Sequence, residues 1–265
     1  MPIDILDQPR GGILETTILY LYRKGSSCPL NRIINDMTGT KEAEDYFKRN
    51  VIDLLGAMDF IDIQNEQIKL KDCPVLERWV KNGGMFDTYF KIELLSKIVK
   101  SENPYIRYFA DMLRKLFDQE KFESSTLETI IREARRSRGI RVSEGEELSG
   151  KIAFCITFLK FFNMIQQIKS NYIIFVPQKL LQMIISISLE EINKPSVKLY
   201  SELFEHIDNN YLPVLNRQEN RLLFAIHKTL SREEFLELFN FANVPDGGRP
   251  LYLNNKEFNA ILLRR

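Results

Sequence analysis

The 265-residue chain is poor in the residues that carry out chemistry. It holds two histidines, His206 and His227, a single tryptophan and three cysteines, Cys28, Cys73 and Cys155. The cysteines are odd in number and widely spaced, each in an apolar neighbourhood. They read as reduced core thiols and point to a cytoplasmic protein. Neither histidine pairs with a cysteine at zinc-site spacing, so no metal is expected. Gly11-Gly12, Gly83-Gly84 and Gly247-Gly248 lack a following Lys-Ser/Thr or a third spaced glycine, which argues against a phosphate-cradling loop. Serine nucleophile elbows and His-Glu zinc helices are missing. The carboxylate pairs Glu146-Glu147, Glu190-Glu191 and Glu233-Glu234 are adjacent in sequence. Neighbours on a helix diverge by about 100°, so these pairs do not converge on one substrate. The reading is of a non-enzymatic protein without a cofactor.

Two further absences narrow the class. Net charge is only +1, so the chain as a whole is no polyanion binder. Apolar runs are too short and interrupted to span a bilayer, and Met-Pro-Ile-Asp opens no cleavable signal, so no membrane partner is expected. A hydrophobic content of 44% with 28% charged residues is that of a soluble globular protein, long enough to bury a substantial core.

What is present is organised around Gly12 to Leu70. Ile13, Leu14, Thr17, Ile18 and Leu21 recur at helical spacing until Gly25. Pro29 opens a short second helix with Leu30, Ile33, Ile34 and Met37 on one face. Thr40 is positioned to cap a third, over about Lys41 to Met58, whose apolar side is Ala43, Phe47, Val51, Leu54, Leu55 and Met58. The period then switches to two: Phe60, Asp62 and Gln64 alternate with Ile61 and Ile63. Asn65-Glu66-Gln67 turns, and Ile68 and Leu70 follow. This order, with Leu54-Leu55-Gly56-Ala57-Met58-Asp59-Phe60-Ile61-Asp62 as the passage from helix to hairpin, resembles a winged helix, the hairpin being the wing. The resemblance covers about a quarter of the chain here and is one of element order.

Residues 74–103 read as connecting helices. Pro74 starts the first, Asn82-Gly83-Gly84 ends it, and Phe86, Phe90, Leu94, Leu95 and Ile98 line the next. Trp79 is expected to pack against that second helix. The order then repeats over 104–177. Tyr105 to Phe117 is one helix. A second follows Ser124 or Ser125, with Leu127, Ile130, Ile131 and Ala134 inward and Arg138-Gly139 as its end. A third spans about Glu146 to Met164, and a hairpin from Gln166 to Val176 turns at Ser170-Asn171. With 1–73 as the first unit, the chain resembles a tandem winged-helix protein: mostly α with small β-hairpin wings. Residues 178–265 read as a helical region, with helices over 179–192, Val197 to His206, Arg217 to Leu230 and Arg232 to Phe241. Ser231 and Glu234 form a capping box, and Pro245 to Pro250 a loop before Leu251-Tyr252-Leu253. A helical cap is preferred for this region; a degenerate third winged helix is the alternative.

The winged-helix resemblance implies that the third helix enters the major groove and the wing touches the backbone. The densest basic cluster is Arg132, Arg135, Arg136, Arg138 and Arg141, opposed within the run only by Glu133. Arginine suits bidentate phosphate contact, and Lys169 on the wing extends the set. In the first unit Lys41, Lys48, Arg49 and Lys69 are the candidates. The opposing reading is equally concrete. Glu128 stands four residues before Arg132, and Glu144, Glu146 and Glu147 follow the run. Residues 1–72 hold nine Lys and Arg against twelve Asp and Glu. The helix at 149–165 is apolar nearly all round, so it must be covered by residues 74–100, the C-terminal helices or an oligomer partner. Tandem winged helices also serve as protein-binding adaptors, by analogy with those that hold the kleisin of chromosome-organising complexes. DNA binding through the phosphate backbone is the first expectation and a protein-interaction subunit the alternative.

Overall fold

The computed structural model describes residues 3–6, 11–119, 121–143, 148–192, 197–213, 228, 239–245, 251–253 and 256–263. These residues are mostly helical, with small antiparallel sheets of two or three strands. The chain divides into two compact units, Met1–Phe175 and Val176–Arg265.

The first unit opens with α1 (Gly11–Arg23), β1 (Ser27–Pro29) and α2 (Leu30–Met37). The Thr40 hydroxyl accepts a hydrogen bond from the Ala43 N–H at 3.2 Å and caps α3 (Lys41–Phe47), as its position predicts. The third helix is not continuous. A π-helical turn over Lys48–Ile52 separates α3 from α4 (Asp53–Ala57). The wider turn shifts the helical phase locally, and Val51, Ile52, Leu54 and Leu55 are all buried.

β2 (Ile61–Gln64) and β3 (Gln67–Leu70) follow, joined by Asn65 and Glu66, both left-handed at φ 49° and 61°. That is the backbone of a two-residue hairpin turn matched to strand twist. β1 pairs with β3 as well, so the sheet order is β1-β3-β2. β1 was invisible to periodicity, because three residues ending in proline show no alternation. α5 (Pro74–Asn82) and α6 (Phe86–Lys100) come next. Trp79 meets Phe86 edge-on at 4.8 Å, the packing expected for it, and Tyr22 at 6.0 Å.

The same element order returns in α7 (Pro104–Phe117), α8 (Ser124–Ser137), α9 (Ser149–Phe161), β4 (Ile165–Ile168) and β5 (Asn171–Ile174). The residues 144–147 where the third helix was expected to begin lie outside the described set. The hairpin turns at Lys169-Ser170, one residue earlier than expected. No sequence identity marks this repeat, but the backbone does. Asp59 and Asn163 are both left-handed, at φ 64° and 58°. Phe60 N–H bonds Leu55 O as Met164 N–H bonds Leu159 O. Lys71 N–H bonds Phe60 O as Phe175 N–H bonds Met164 O. Even β1 has a counterpart: Phe122 bridges Tyr172 two residues before α8, as Cys28 pairs with Ile68 two residues before α2.

The second unit contains α10 (Gln178–Glu191), β6 (Val197–Leu199), α11 (Tyr200–Asn210), β7 (Phe239–Ala242), the hairpin β8 (Leu251–Leu253) and β9 (Lys256–Phe258), and β10 (Ala260–Leu263). Two expectations are corrected. Val197–Leu199 and the end of the Arg232 to Phe241 helix are strands, because both pair with β10, and long-range pairing overrides local period. The order β6-β10-β7 repeats β1-β3-β2. Tyr200 N–H bonds Asn259 O at 3.0 Å where Leu30 N–H bonds Glu66 O at 2.8 Å. The described strands of this region thus follow the same order as those of the first unit. The helix expected over Arg217 to Leu230, the Ser231–Glu234 capping box and most of the Pro245 to Pro250 loop lie outside the described residues.

Candidate functional site

The arginine run is distributed among separate partners. α8 buries Leu127, Ile130, Ile131 and Ala134, as their spacing requires, and this phase carries Arg135 to the edge of the core. Arg135 is 6% exposed and faces Asp4, itself 4% exposed, at 3.8 Å. The same carboxylate receives Lys151 Nζ at 3.0 Å, the Tyr108 hydroxyl at 2.6 Å and the Leu6 N–H at 3.0 Å. Burial, with Asp4 adding to it, holds the Tyr108 hydroxyl well above its ordinary pKa, so it stays a donor. Arg135 and Lys151 thus clasp the buried N-terminal segment Asp4-Ile5-Leu6 onto α7–α9 and do not form an anion-facing surface.

Arg132 donates through Nε and Nη2 to Glu128 at 3.0 and 2.7 Å, the i, i+4 pair that the sequence weighed against phosphate contact. Arg138, at the end of α8, grips Asp111 with Nε and Nη2, the latter at 2.8 Å. That hydrogen bond raises the guanidinium pKa further, with burial working against it. Gly139, at φ 71°, ends the helix as expected. Arg136 and Arg141 are exposed and make no ion pair with any described residue. Lys169 is exposed at the left-handed turn of the second hairpin. Glu144, Glu146 and Glu147 lie outside the described residues.

Lys41, Lys48 and Arg49 are exposed on the third helix of the first repeat, among the exposed acids Glu42 and Asp45. Lys69 is exposed on β3 directly across from Asp62. In this repeat each cation shares its surface with an acid.

The apolar surplus of α9 has a specific cover. Cys155, Phe158, Leu159 and Phe162 face the core. Phe161 meets Phe90 of α6 at 6.2 Å, and Lys91 Nζ stands 5.1 Å above its ring. Gly11 of α1 lies so close that a Cβ there would fall 2.4 Å from the Phe161 ring. Helices α1 and α6 thus supply much of the cover the sequence required. The outward residues Ser149, Gly150, Ala153, Phe154, Thr157 and Lys160 include one charge, where phosphate contact rests on several cations.

Sequence reasoning missed a surface on the second hairpin. Ile168, Ile173 and Phe175 are 47%, 36% and 39% exposed. Residues directly opposite in an antiparallel pair share a face. The pairs Ile168–Asn171 and Gln166–Ile173, with Met164 and Phe175 beyond them, place these three side chains on one side of the hairpin. The other side turns Ile174 inward and stacks Tyr172 on Phe122 at 5.5 Å. The signal was available, since this hairpin carries apolar residues on both faces and a two-stranded ribbon buries one. Among the described residues no helix is long and apolar enough to cross a membrane.

No family model, curated protein or solved structure matches the chain.

Proposed function

We propose that the chain is a non-enzymatic protein built of repeated winged-helix units, and that it works by binding another protein. The element order supports the winged-helix reading: helix, strand, helix, helix, hairpin, with the first strand beside the last. The observation that carries the protein-partner reading is the apolar face Ile168–Ile173–Phe175, aligned on the wing of the second repeat. Exposed apolar surface on an ordered strand pair is characteristic of contact surfaces.

DNA binding is the second reading, favoured by Arg136, Arg141 and Lys169, which are exposed around the same repeat. Against it stand the engagement of Arg132, Arg135 and Arg138 with acids and the nearly uncharged outer face of α9. A salt titration of binding to a random-sequence duplex, followed by fluorescence anisotropy, separates the two. Several phosphate contacts give affinity that falls steeply between about 50 and 200 mM salt. The protein-partner reading expects no duplex binding even at the lower salt, and steep salt-dependent binding would overturn it in favour of DNA.

A further inference from the structure

We propose that the partner of the second hairpin is a second copy of this chain, joined edge to edge through β4; this rests on the protein-partner reading above. Backbone parity fixes which groups are on offer. Phe175 N–H bonds Met164 O, so Met164, Gln166 and Ile168 turn their backbone groups toward β5. Ile165 and Gln167 turn theirs away, and among the described residues β4 has no strand neighbour other than β5. An open edge of this kind is a template for another strand, and proteins ordinarily guard such edges with charge. Ile165-Gln166-Gln167-Ile168 carries none.

An outward residue pairs only with an outward residue. Of the two-fold registers this allows, the one centred on Gln166 pairs both outward residues within the strand: it sets Ile165 against Gln167 of the second copy and Gln166 against its own mate on the axis. Two glutamine amides there donate to and accept from each other. Lys169 falls opposite Asn163, so no like charges meet. The face bearing Ile168, Ile173 and Phe175 then runs continuously across a four-stranded sheet.

The first repeat is an internal control. Its hairpin has the same parity, because Lys71 N–H bonds Phe60 O. The residue equivalent to Gln166 is Asp62, paired across β3 with Lys69. The same two-fold pairing there would press Asp62 against Asp62, and like charges directly opposite are destabilising. One wing is guarded against self-pairing and the other is self-complementary.

Sedimentation equilibrium of the full chain, from low-micromolar to near-millimolar concentration, tests this. The expected result is a reversible monomer–dimer equilibrium. Gln166→Lys and Gln166→Glu each place like charges on the axis and should weaken dimerisation about tenfold or more. An equimolar mixture of the two variants should restore association as a heterodimer, which a merely misfolded variant could not do. A chain that stays monomeric throughout, or a dimer unchanged by both variants, overturns the proposal. Steep salt-dependent duplex binding would instead overturn the protein-partner reading, so the two failures are distinguishable.

Discussion

Glu93 is a carboxylate set 2% exposed in the core, where it accepts from the Val75 N–H at 2.8 Å and the Leu76 N–H at 3.4 Å and so caps α5. Burial raises its pKa, and the two N–H groups offset only part of that rise. Between the ordinary carboxyl value and the raised folded value, the folded state binds more protons than the unfolded chain. Stability contributed by this group therefore rises as pH falls through that window. Asp59 acts in the opposite sense. Its hydrogen bond from Lys71 lowers its pKa, so its contribution is lost as pH falls through the folded value. Glu93→Gln keeps an acceptor for both N–H groups and removes the ionisation. Relative to the parent chain, this variant should gain melting temperature at neutral pH and lose that advantage in mild acid, as read by thermal melts across the range. Asp4 gives the second residue-scale prediction. Removing its carboxylate takes the shared acid from the buried Arg135 and the half-buried Lys151. Asp4→Ala should cost about 3 kcal/mol in urea unfolding, as breaking a buried ion pair does.

Elements in this chain end and join in ways that only partly surface in sequence. Caps and glycine stops were legible, as at Thr40 and Gly139, because each satisfies the backbone locally. The π turn at Lys48–Ile52 was not, since adjacent apolar residues such as Val51 and Ile52 read as noise on a strict helical period. β1 and β6 were hidden because three-residue strands exist only through their long-range partners. The candidate site was least legible of all: arginine spacing was plain, but the acids that engage Arg135 and Arg138 come from positions 4 and 111. The repeated helix-to-hairpin junction makes a prediction at this scale. Asp59 and Asn163 each sit in the left-handed region, which a β-branched side chain resists. Asn163→Val should destabilise by about 1–2 kcal/mol, whereas Asn163→Gly should be neutral or slightly stabilising, measured by denaturant midpoints.

Across the Met1–Phe175 unit, the two repeats share contacts that tie their fates together. Ile5 N–H bonds Tyr105 O at 3.1 Å, and the Asp4 clasp seats the N-terminal segment on the second repeat, although the sequence next enters the first. Gly11 at the head of α1 leaves the space that Phe161 of α9 occupies, and the same ring rests on Phe90. A side chain at position 11 must displace the ring or separate α1 from α9. Overpacking of this sort costs about 1–3 kcal/mol, and here it falls on a contact that belongs to both repeats. Gly11→Leu should therefore lower protection of α1 and α9 amides together in native-state hydrogen exchange, by similar factors, with one unfolding transition retained for the unit. Loss of protection in α1 alone would mean that the repeats open independently and that Phe161 is merely a neighbour. Coupled loss would establish a single cooperative body in which the two hairpins are held on one core.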